Sequence, residues 1–360
     1  MTQRERQILS LIENNPMISQ QELADALQIT RSSVAVHISN LQKKGHIAGK
    51  GYVLRTGSYA VVVGGVNVDI GGRTAAKLVE ADSNPGTVTV SLGGVGRNIA
   101  HNLTLLGTDV RMLTAYGDDL YGQRIASSCG ELGIDIGHAL RVSDANTSTY
   151  LYIADADGEM ALALSDMEVC NRITPAYLAA NLPMLQNAQV VVADTNIPAE
   201  SLQYLAENCT APLFCDPVST TKAMKLLPIL HKIHTLKPNL LEAELLSGVK
   251  VQTEADVEKA AQVLLEKGVR RVFISMGAKG MYAATEKEKL WLANLPGNKV
   301  NTTGCGDAMM AALVWAYLEG TDLKHSALAG LAAGSVAMES AETINPAMSA
   351  GALKERMKMN

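Results

Sequence analysis

The sequence is poor in aromatic residues and cysteines and lacks the marks of a membrane or secreted protein. Only 4% of its 360 residues are aromatic, and its five cysteines are scattered without a CxxC pair. Such thiols are typical of a reducing compartment rather than of disulfides or a zinc site. No stretch approaches the ~20 apolar residues that cross a bilayer, and the opening MTQRERQILS has no apolar core of the signal-peptide type. We therefore expect a cytoplasmic protein.

Several common catalytic signatures are also missing. The chain has no GxxxxGK[ST] motif, and its glycine-rich segment GGVGRN is a poor match to the GxGxxG dinucleotide fingerprint. It has neither GxSxG nor HExxH. These absences argue against a P-loop and against the common hydrolase and zincin chemistries.

Charge divides the chain into a small basic part and a large acidic part. Residues 1–57 hold seven Lys or Arg and four Asp or Glu, a net charge of +3. Residues 58–360 hold 24 basic and 32 acidic side chains, a net charge of −8. This asymmetry predicts two modules with different partners.

The pattern of residues 1–57 predicts three helices followed by a short hairpin around Gly49-Lys50-Gly51. Ser19 and Glu22 have the spacing of a capping box, and apolar residues recur on one face of each helix. The module resembles a winged helix-turn-helix, whose third helix enters the major groove of DNA. A three-helix dimerisation module is the alternative. The side chains expected to contact DNA are Arg31, Ser33, His37, Asn40 and Lys50.

From residue 58 onward, strand-like and helix-like segments alternate. YAVVVGGVNVDI, VRMLTAYG, AQVVVADTN, APLFCDP, IHTLKPN and RRVFISMG are the predicted buried strands. Their alternation with helices predicts an α/β domain, 58–360, with a mainly parallel sheet and helices on both faces. TVTVSLGG and TSTYLYIADADGEMALAL have period two, with a turn at Asp157-Gly158, and predict a small β lid over about 70–92 and 147–165.

The segment VNTTGCGDAMMAALVWAYLEG, residues 300–320, predicts a buried helix that begins in a glycine-rich turn and ends before Gly320. Its first turn contains Gly304, Cys305, Gly306 and Asp307. Helix N-termini attract anions, and glycine allows a ligand close to the backbone. A tight turn without a ligand is the alternative. Other polar side chains follow predicted strands, where ligands of open parallel sheets bind: Asn67, Asp69, Asn98, Asp194, Asn196, Asp216, Lys237 and Asn239.

Taken together, these segments resemble the ribokinase-like (PfkB) family of sugar and nucleoside kinases. GGVGRNIAHN is similar to the first family signature, NTTGCGDAMMAAL to the second, and KPNLLEAE contains its NxxE element. SMGAKG is similar to its nucleotide-side loop. DSNPG, NTSTYL, GEM, LSDM, VADTNI and DPVS are most similar to members that act on pseudouridine. Two positions depart from the family pattern: Cys305 stands where Ala or Ser is usual, and Asn301 where Asp often begins the cation loop.

The resemblance implies phosphoryl transfer from ATP with Mg²⁺. Asp307 would take the proton of the acceptor hydroxyl, and the backbone N–H groups of Gly304, Cys305 and Gly306 would stabilise the transferred phosphoryl group. A helix-capping carboxylate is the alternative for Asp307. Residues implied in substrate binding are Asn67, Asp69, Gly94, Arg97, Asn98, Ser148, Tyr150, Asp166, Asn196 and Lys222. Residues implied on the ATP side are Asn239, Glu242, Ser275 and Gly277.

Glu242 is expected to hold Mg²⁺ through water, since Mg²⁺ retains several waters in proteins. Asn301 leaves a role for K⁺ undecided. The function implied is formation of pseudouridine 5′-phosphate. We expect a homodimer that also binds DNA through residues 1–57. Two alternatives stay open: a kinase of another nucleoside or sugar, and a DNA-binding regulator that uses the kinase fold as a ligand sensor.

Overall fold

The computed structural model describes residues 1–47 and 59–359 of the chain. The chain divides into two compact units, Met1–Ser58 and Tyr59–Asn360. The predicted hairpin around Gly49-Lys50-Gly51, and with it the DNA contact predicted for Lys50, lies outside the described residues.

In the first unit, three described helices pack around an aliphatic core. They are α1 (Gln3–Asn14), α2 (Gln20–Leu27) and α3 (Arg31–Lys43). Ser19 and Glu22 form the predicted capping box of α2, because each side chain accepts a hydrogen bond from the backbone N–H of the other. Val34, Ile38 and Leu41 of α3 are buried, as their spacing predicts.

The second unit contains a large sheet, two smaller sheets and the helices that cover them. Its strands are β1 (Tyr59–Val63), β2 (Asn67–Thr74), β3 (Gly86–Gly93), β4 (Asp109–Leu113), β5 (Ala115–Gly117), β6 (Leu140–Val142), β7 (Thr149–Ala154), β8 (Met160–Asp166), β9 (Val190–Asp194), β10 (Leu213–Asp216), β11 (Thr235–Leu236), β12 (Arg271–Ser275), β13 (Met281–Ala284) and β14 (Lys289–Leu292). Its α-helices are α4 (Val95–Leu105), α5 (Leu120–Glu131), α6 (Pro175–Ala180), α7 (Leu182–Gln186), α8 (Ala199–Asn208), α9 (Thr220–Ala223), α10 (Leu240–Ser247), α11 (Glu254–Glu266), α12 (Cys305–Leu318), α13 (Leu323–Ala337) and α14 (Ala350–Met357). Short 3₁₀ helices span Glu168–Arg172, Met224–Lys232 and Gly277–Lys279.

The large sheet has eight strands in the order β14-β13-β12-β11-β10-β9-β1-β4. The strands from β12 to β4 pair in parallel, whereas β13 and β14 add an antiparallel edge. Alternate residues of β1 pack on opposite faces: Val62 joins a core with α4, α12 and α13, and Val61 joins a core with α8 and α11. The prediction of a mainly parallel sheet with helices on both faces is confirmed.

A second sheet of four strands, in the order β3-β2-β7-β8, forms the lid. The prediction of one continuous strand over 59–70 is wrong, because the chain leaves the large sheet after β1 and enters the lid as β2. Gly64 and Gly65 make this exit: a Cβ atom at Gly64 would collide with the carboxylate of Asp194, and one at Gly65 would lie 3.1 Å from Asn196 Nδ2. VRMLTAYG is likewise divided, into β4 of the large sheet and β5 of a two-stranded sheet with β6.

Helix α12 confirms the prediction made from its apolar run. It is buried along most of its length and packs against α4 and α13. It begins directly after Gly304, which has φ +81°, and ends before Gly320, which has φ +72°. Both backbone conformations favour glycine. The first turn of α12 therefore lies where the glycine-rich turn predicts it.

Candidate active site

The polar residues that follow the central strands come together at one edge of the large sheet. β9, β10 and β11 are neighbours with parallel direction, and Asp194 pairs in register with Asp216. Lys237 follows β11, and Asn239 pairs with Ser275 at the end of β12. Because these residues lie at the carboxyl ends of parallel strands, they form the usual ligand edge of an open α/β sheet.

Asp307 extends from the first turn of α12 to this edge. Its Oδ2 atom accepts a hydrogen bond of 2.9 Å from Asn98 Nδ2, a residue of α4 that lies 209 positions away in the sequence. Burial, chiefly, and the negative charge of Asp216 raise the pKa of Asp307 to about 7, although Asn98 and Lys237 oppose the shift. A carboxylate with a pKa near neutrality is well suited to act as a general base.

The turn before α12 brings backbone close to Asp307. A Cβ atom at Gly304 would collide with the carbonyl oxygen of Thr343, so only glycine fits this approach. The backbone N–H of Cys305 donates to Thr302 O at 3.3 Å, and the thiol of Cys305 donates to Gly334 O at 3.5 Å. The side chain at position 305 therefore points away from the turn, and the helix N-terminus presents backbone to a ligand.

Asp194 organises the exit of the chain from β1. It is fully buried; its Oδ2 accepts the N–H of Gly65 at 2.9 Å and its Oδ1 accepts the N–H of Asn196 at 2.8 Å. Burial raises its pKa, which these hydrogen bonds oppose. Asp194 is thus a structural carboxylate that fixes two turns of the site.

Asp216 and Lys237 form a buried ion pair between Asp194 and Glu242. Lys237 Nζ lies 3.1 Å from Asp216 Oδ2, and the side chains are 6% and 7% exposed. The backbone N–H of Val218 donates to Asp216 Oδ1 at 2.9 Å. Sequence reasoning placed both residues at strand ends but gave neither a role.

Asn67 and Asp69 lie on β2 at the base of the lid. Asn67 Nδ2 donates to Asp69 Oδ1 at 2.6 Å, and burial raises the pKa of Asp69. A Cβ atom at Gly93 would collide with the Asp69 carboxylate. Gly94 has φ +98° and packs against the backbone of Gly65, which a Cβ atom would approach to 2.6 Å. The two glycines therefore leave room for the carboxylate and for a ligand beside it.

Asn239 and Glu242 form a capping box at the start of α10. The N–H of Asn239 donates to Glu242 Oε2 and the N–H of Glu242 donates to Asn239 Oδ1, both at 2.9 Å. Glu242 is 4% exposed, and burial together with the charge of Asp216 raises its pKa, which the Asn239 N–H opposes. Its local role is helix capping, and one carboxylate oxygen is not used by the cap.

Family comparisons agree with this geometry. Residues 58–350 match the model of the family described as "pfkB family carbohydrate kinase". The chain belongs to the pfkB family of carbohydrate kinases. Residues 1–47 of this kinase match the model described as "Winged helix-turn-helix DNA-binding". Both resemblances stated from the sequence are confirmed.

Two curated relatives from Escherichia coli (strain K12) are similar to this kinase at nearly equal identity. "Uncharacterized sugar kinase YeiI" is 40% identical over 354 residues, which cover 97% of each chain. "Pseudouridine kinase" is 41% identical over 298 residues, which cover 82% of this chain and 95% of the relative. The first alignment therefore includes the N-terminal unit.

Solved structures share the fold. The carbohydrate kinase of Agrobacterium tumefaciens is 27% identical, with a TM-score of 0.75 over 84% of this chain and 98% of that one. The ribokinase of Thermotoga maritima is 23% identical, with a TM-score of 0.76 over 84% of this chain and 100% of that one. Of the helices that the structure describes, none is long and apolar enough to span a membrane.

The lid of the kinase has a polar, aromatic face on the side of Asp69. Asp69 pairs with Tyr150 and Tyr150 with Ser165, so these side chains share one face. Tyr150 and Tyr152 lie with ring centroids 5.9 Å apart. Tyr152 covers Gly71, where a Cβ atom would lie 2.5 Å from its Oη. Tyr152 was not predicted from the sequence, although the period of two in this strand places it on the same face as Tyr150.

The other predicted substrate residues have different partners. Ser148 is buried, and its hydroxyl lies 3.8 Å from Cys170 Sγ. Lys222 Nζ donates to Asn196 Oδ1 at 2.6 Å, while Asn196 Nδ2 is buried and has no hydrogen-bond partner among the described residues. Asp166 Oδ1 accepts the N–H of Glu168 in an exposed turn. Asn196 therefore has an unused donor for a ligand.

Arg97 has mainly structural contacts. It is 4% exposed, and its Nη atoms donate to Leu92 O at 3.2 Å and Ser128 Oγ at 2.8 Å. These bonds join the end of β3 to α5, and the positive charge of Arg97 acts on Asp69. The prediction that Arg97 contacts substrate stays a prediction.

The residues of the site fit Mg²⁺ held through water. Glu242 is buried and keeps one carboxylate oxygen that its cap does not use, and the charge of Asp216 acts on it. Within 1–47 and 59–359, no group of three His, Cys, Asp or Glu side chains could hold a metal directly. On the predicted ATP side, Ser275 contacts Pro238 O, and Gly277, at φ +56°, accepts the amide N–H of Asn294.

The side chain of Asn301 offers no charged ligand to K⁺. Asn301 Nδ2 donates to Ala341 O at 3.1 Å, and Asn301 Oδ1 accepts the N–H of Thr303 at 3.0 Å. Both ends of the amide are engaged, and an amide carries no charge to balance a cation. Asn301 instead joins the two loops by direct hydrogen bonds.

Helix α3 of the N-terminal unit exposes part of the predicted DNA-binding surface. Arg31 is exposed, whereas Ser33, His37 and Asn40 are half-buried. Ser33 is engaged in the cap of α3, with its Oγ 2.8 Å from Thr30 Oγ1. The exposed face also includes Val36, which is 60% exposed. Because Val36 is apolar, it was not among the DNA contacts predicted from the sequence, which are all polar.

Proposed function

We propose that this kinase transfers the γ-phosphoryl group of ATP to the 5′-hydroxyl of pseudouridine. The observation that carries the chemistry is Asp307, which has a pKa of about 7 and lies in the first turn of α12. The substrate assignment is supported by the 41% identity to a pseudouridine kinase over 95% of that relative. ATP is the donor that the family resemblance implies.

In the proposed reaction, Asp307 removes the proton of the acceptor hydroxyl as its oxygen attacks the γ-phosphorus. The bond between that phosphorus and the β,γ-bridging oxygen breaks, and ADP leaves with the electron pair. Backbone N–H groups of Gly304 and Gly306 stabilise the charge on the transferred oxygens, whereas the N–H of Cys305 already donates to Thr302 O at 3.3 Å. Mg²⁺, held through water by Glu242, would neutralise charge on the β- and γ-phosphates.

The acceptor nucleoside would bind between the lid and the end of β1. The Asp69 carboxylate can accept hydrogen bonds from two ribose hydroxyls, and Asn67 holds it in place. Tyr150 and Tyr152 offer aromatic faces to a base, and Asn196 Nδ2 offers a donor. This division predicts that Asn67 and Asp69, at the base of the lid, recognise the ribose, and that Tyr150, Tyr152 and Asn196 recognise the base.

Turnover across a panel of acceptors tests the substrate. We expect kcat/KM for pseudouridine to exceed that for ribose, fructose and adenosine by at least about tenfold, or about 1.4 kcal/mol. A sugar or uridine that outcompetes pseudouridine would overturn the assignment. A sugar kinase is the second candidate, because a relative named as a sugar kinase is 40% identical over 97% of this chain.

We infer that the N-terminal unit binds DNA through α3. Support comes from the match of residues 1–47 to a DNA-binding model, from the net charge of +3 in residues 1–57, and from exposed Arg31. Neutralised phosphates release counterions, so affinity should fall steeply with salt. Arg31→Ala/Asn40→Ala should lose affinity while kinase turnover is unchanged.

Genome-wide pull-down of the intact protein, with and without pseudouridine, tests this inference. Enriched sites that depend on Arg31 and Asn40 are expected, with nucleoside shifting affinity by about 1–3 kcal/mol if the kinase unit also senses its ligand. No enriched site under either condition would leave the unit as a dimerisation module. Retained DNA binding in a catalytically inactive Asp307→Asn variant would separate sensing from turnover.

We further propose a homodimer formed through the lid. Its face opposite Asp69 is aliphatic, and Val88, Leu162 and Leu164 are 71%, 54% and 63% exposed. One row across the sheet consists, in order, of Val88, Gly72, Ile153 and Leu162. Monomeric proteins rarely expose so continuous an apolar face. A second copy of the same lid covers it with a twofold, self-complementary contact.

A further inference from the structure

Lys237 lies between the carboxylates of the site and the glycine-rich turn. It follows β11 and is 5% exposed. Its Nζ atom lies 3.1 Å from Asp216 Oδ2. From the other side, a Cβ atom at Gly306 would lie 3.5 Å from the same Nζ. The ammonium group therefore faces the turn that presents backbone to the phosphoryl group.

The ion pair leaves the hydrogen-bonding capacity of the ammonium largely unused. A lysine ammonium has three N–H donors. The contact of Nζ with Asp216 Oδ2 uses at most one of these donors, and in the part of the chain that the structure describes Nζ makes no hydrogen bond to another group. Asp216 is fixed independently, through Oδ1 and the N–H of Val218, whose φ is +64°. A buried polar group with unused donors is costly unless a ligand completes it.

Lys237 is charged in this setting. Burial lowers its pKa, but the carboxylates of Asp216, Glu242 and Asp307 together raise it above the ordinary value. A charged ammonium beside three carboxylates reduces their mutual repulsion. It also places a buried cation next to the glycine turn.

We propose that Lys237 is a catalytic residue that contacts a non-bridging oxygen of the γ-phosphoryl group during transfer. The inference rests on the phosphoryl transfer proposed above, whichever nucleoside or sugar accepts the group. Negative charge spreads over these oxygens in the transition state, so a preorganised cation stabilises it. No bond forms to Lys237, and its protons stay on Nζ throughout.

A purely electrostatic role is the competing explanation. Lys237 could act only by neutralising Asp216 and keeping the pKa of Asp307 within reach of neutral pH. Two observations distinguish the roles. If neutralisation is the whole effect, removing both charges in Asp216→Asn/Lys237→Met should restore turnover. In that case the slow Lys237→Met variant should also regain wild-type kcat at high pH, once Asp307 ionises.

The first test measures kcat from pH 6 to 10 for wild type, Lys237→Met and the double variant, with the best acceptor from the panel. We expect Lys237→Met to have a high-pH plateau ~10²–10³-fold below wild type, because one stabilising group is lost. The double variant should be no faster than Lys237→Met. The proposal would be overturned if Lys237→Met reached the wild-type kcat at high pH. It would also be overturned if the double variant were faster than Lys237→Met.

The second test needs no acceptor, so it stays informative if pseudouridine is the wrong substrate. Calorimetric titration gives the Kd of ATP and of ADP for wild type and Lys237→Met. Because ADP lacks the γ-phosphoryl group, the variant should lose at least about tenfold in ATP affinity relative to ADP. An unchanged ratio of the two affinities would overturn the proposal.

Lys267→Met is the matched control. Lys267 Nζ is also bound to protein, since it donates to Leu246 O at 2.8 Å and Ser247 O at 3.4 Å, but Lys267 is exposed and its Nζ lies at the C-terminal end of α10. Its removal should lower the stability of the protein without changing the ratio of ATP affinity to ADP affinity. A change of ratio equal to that of Lys237→Met would show that the readout reports general loosening, which would overturn the proposal.

Discussion

Asp307 should lower the stability of the kinase unit at neutral pH. Burial, chiefly, and the charge of Asp216 raise its pKa from the ordinary 3.8 to about 7. The folded protein thus keeps a proton that the unfolded chain releases above about pH 4. Stability therefore falls as the pH rises from about 4 to about 7, and the loss persists above that range. Asp307→Asn removes this effect and can still accept the hydrogen bond from Asn98.

The size of the effect follows from the shift. Roughly three pKa units at ~1.4 kcal/mol each set an upper limit of about 4 kcal/mol. Asp307 is partly open to the cleft, and water there reduces the cost of its charge. We expect Asp307→Asn to stabilise the unit by about 1–3 kcal/mol at pH 8 and by nearly nothing at pH 4.

Thermal unfolding at pH 4, 6 and 8, without nucleotide or nucleoside, measures the difference. At about 2 °C per kcal/mol for a unit of this size, the variant should melt a few degrees higher at pH 8. Its kcat should fall ~10²–10⁴-fold. Wild-type kcat should rise with pH through about 7, and the rise should be absent in the variant.

Asp109→Asn, at the exposed start of β4, is the control and should change neither property. The reasoning is refuted if Asp307→Asn melts below wild type at pH 8. It is equally refuted if the variant keeps most of its kcat.

Three further predictions test other parts of the site. Wild-type turnover should be equal in K⁺ and in choline, whereas Asn301→Asp should respond to K⁺, because a carboxylate adds the missing charge; a K⁺-dependent wild type would contradict this. Gly304→Ala should lower kcat at least about tenfold, because Thr343 O blocks its Cβ and its φ is +81°; an unaffected kcat would remove the turn from the mechanism. Leu162→Glu should convert a dimer to a monomer in sedimentation, while Leu241→Glu, at an exposed leucine outside the lid, should not.

Local sequence patterns predicted much of the fold because local physics decides those features. The capping box of Ser19 and Glu22 depends only on spacing, and it formed as predicted. Helix α12 could be predicted from its apolar run and its flanking glycines. The break in the strand after β1 could not be predicted from local sequence. Gly64 and Gly65 are needed there because they pack against Asp194 and Asn196, about 130 residues away.

The same limit applies to the site. Asp307 could be selected by its motif, but its pKa depends on burial and on Asp216, which only the folded chain brings together. Lys237 stood at a predicted strand end, yet its relation to Gly306 joins residues from different elements. Asn301 was noted as a departure from the family pattern, and the structure adds its partner, because the amide donates to Ala341 O.

Phosphorus NMR of the purified protein with ATP, Mg²⁺ and pseudouridine follows the proposed reaction itself. We predict a 5′-monophosphate resonance that grows in step with ADP, no such resonance with 5′-deoxypseudouridine, and almost none with Asp307→Asn. ATP that stays intact with pseudouridine but is consumed with ribose would contradict the proposed substrate. Equal turnover by Asp307→Asn and wild type would contradict the proposed mechanism.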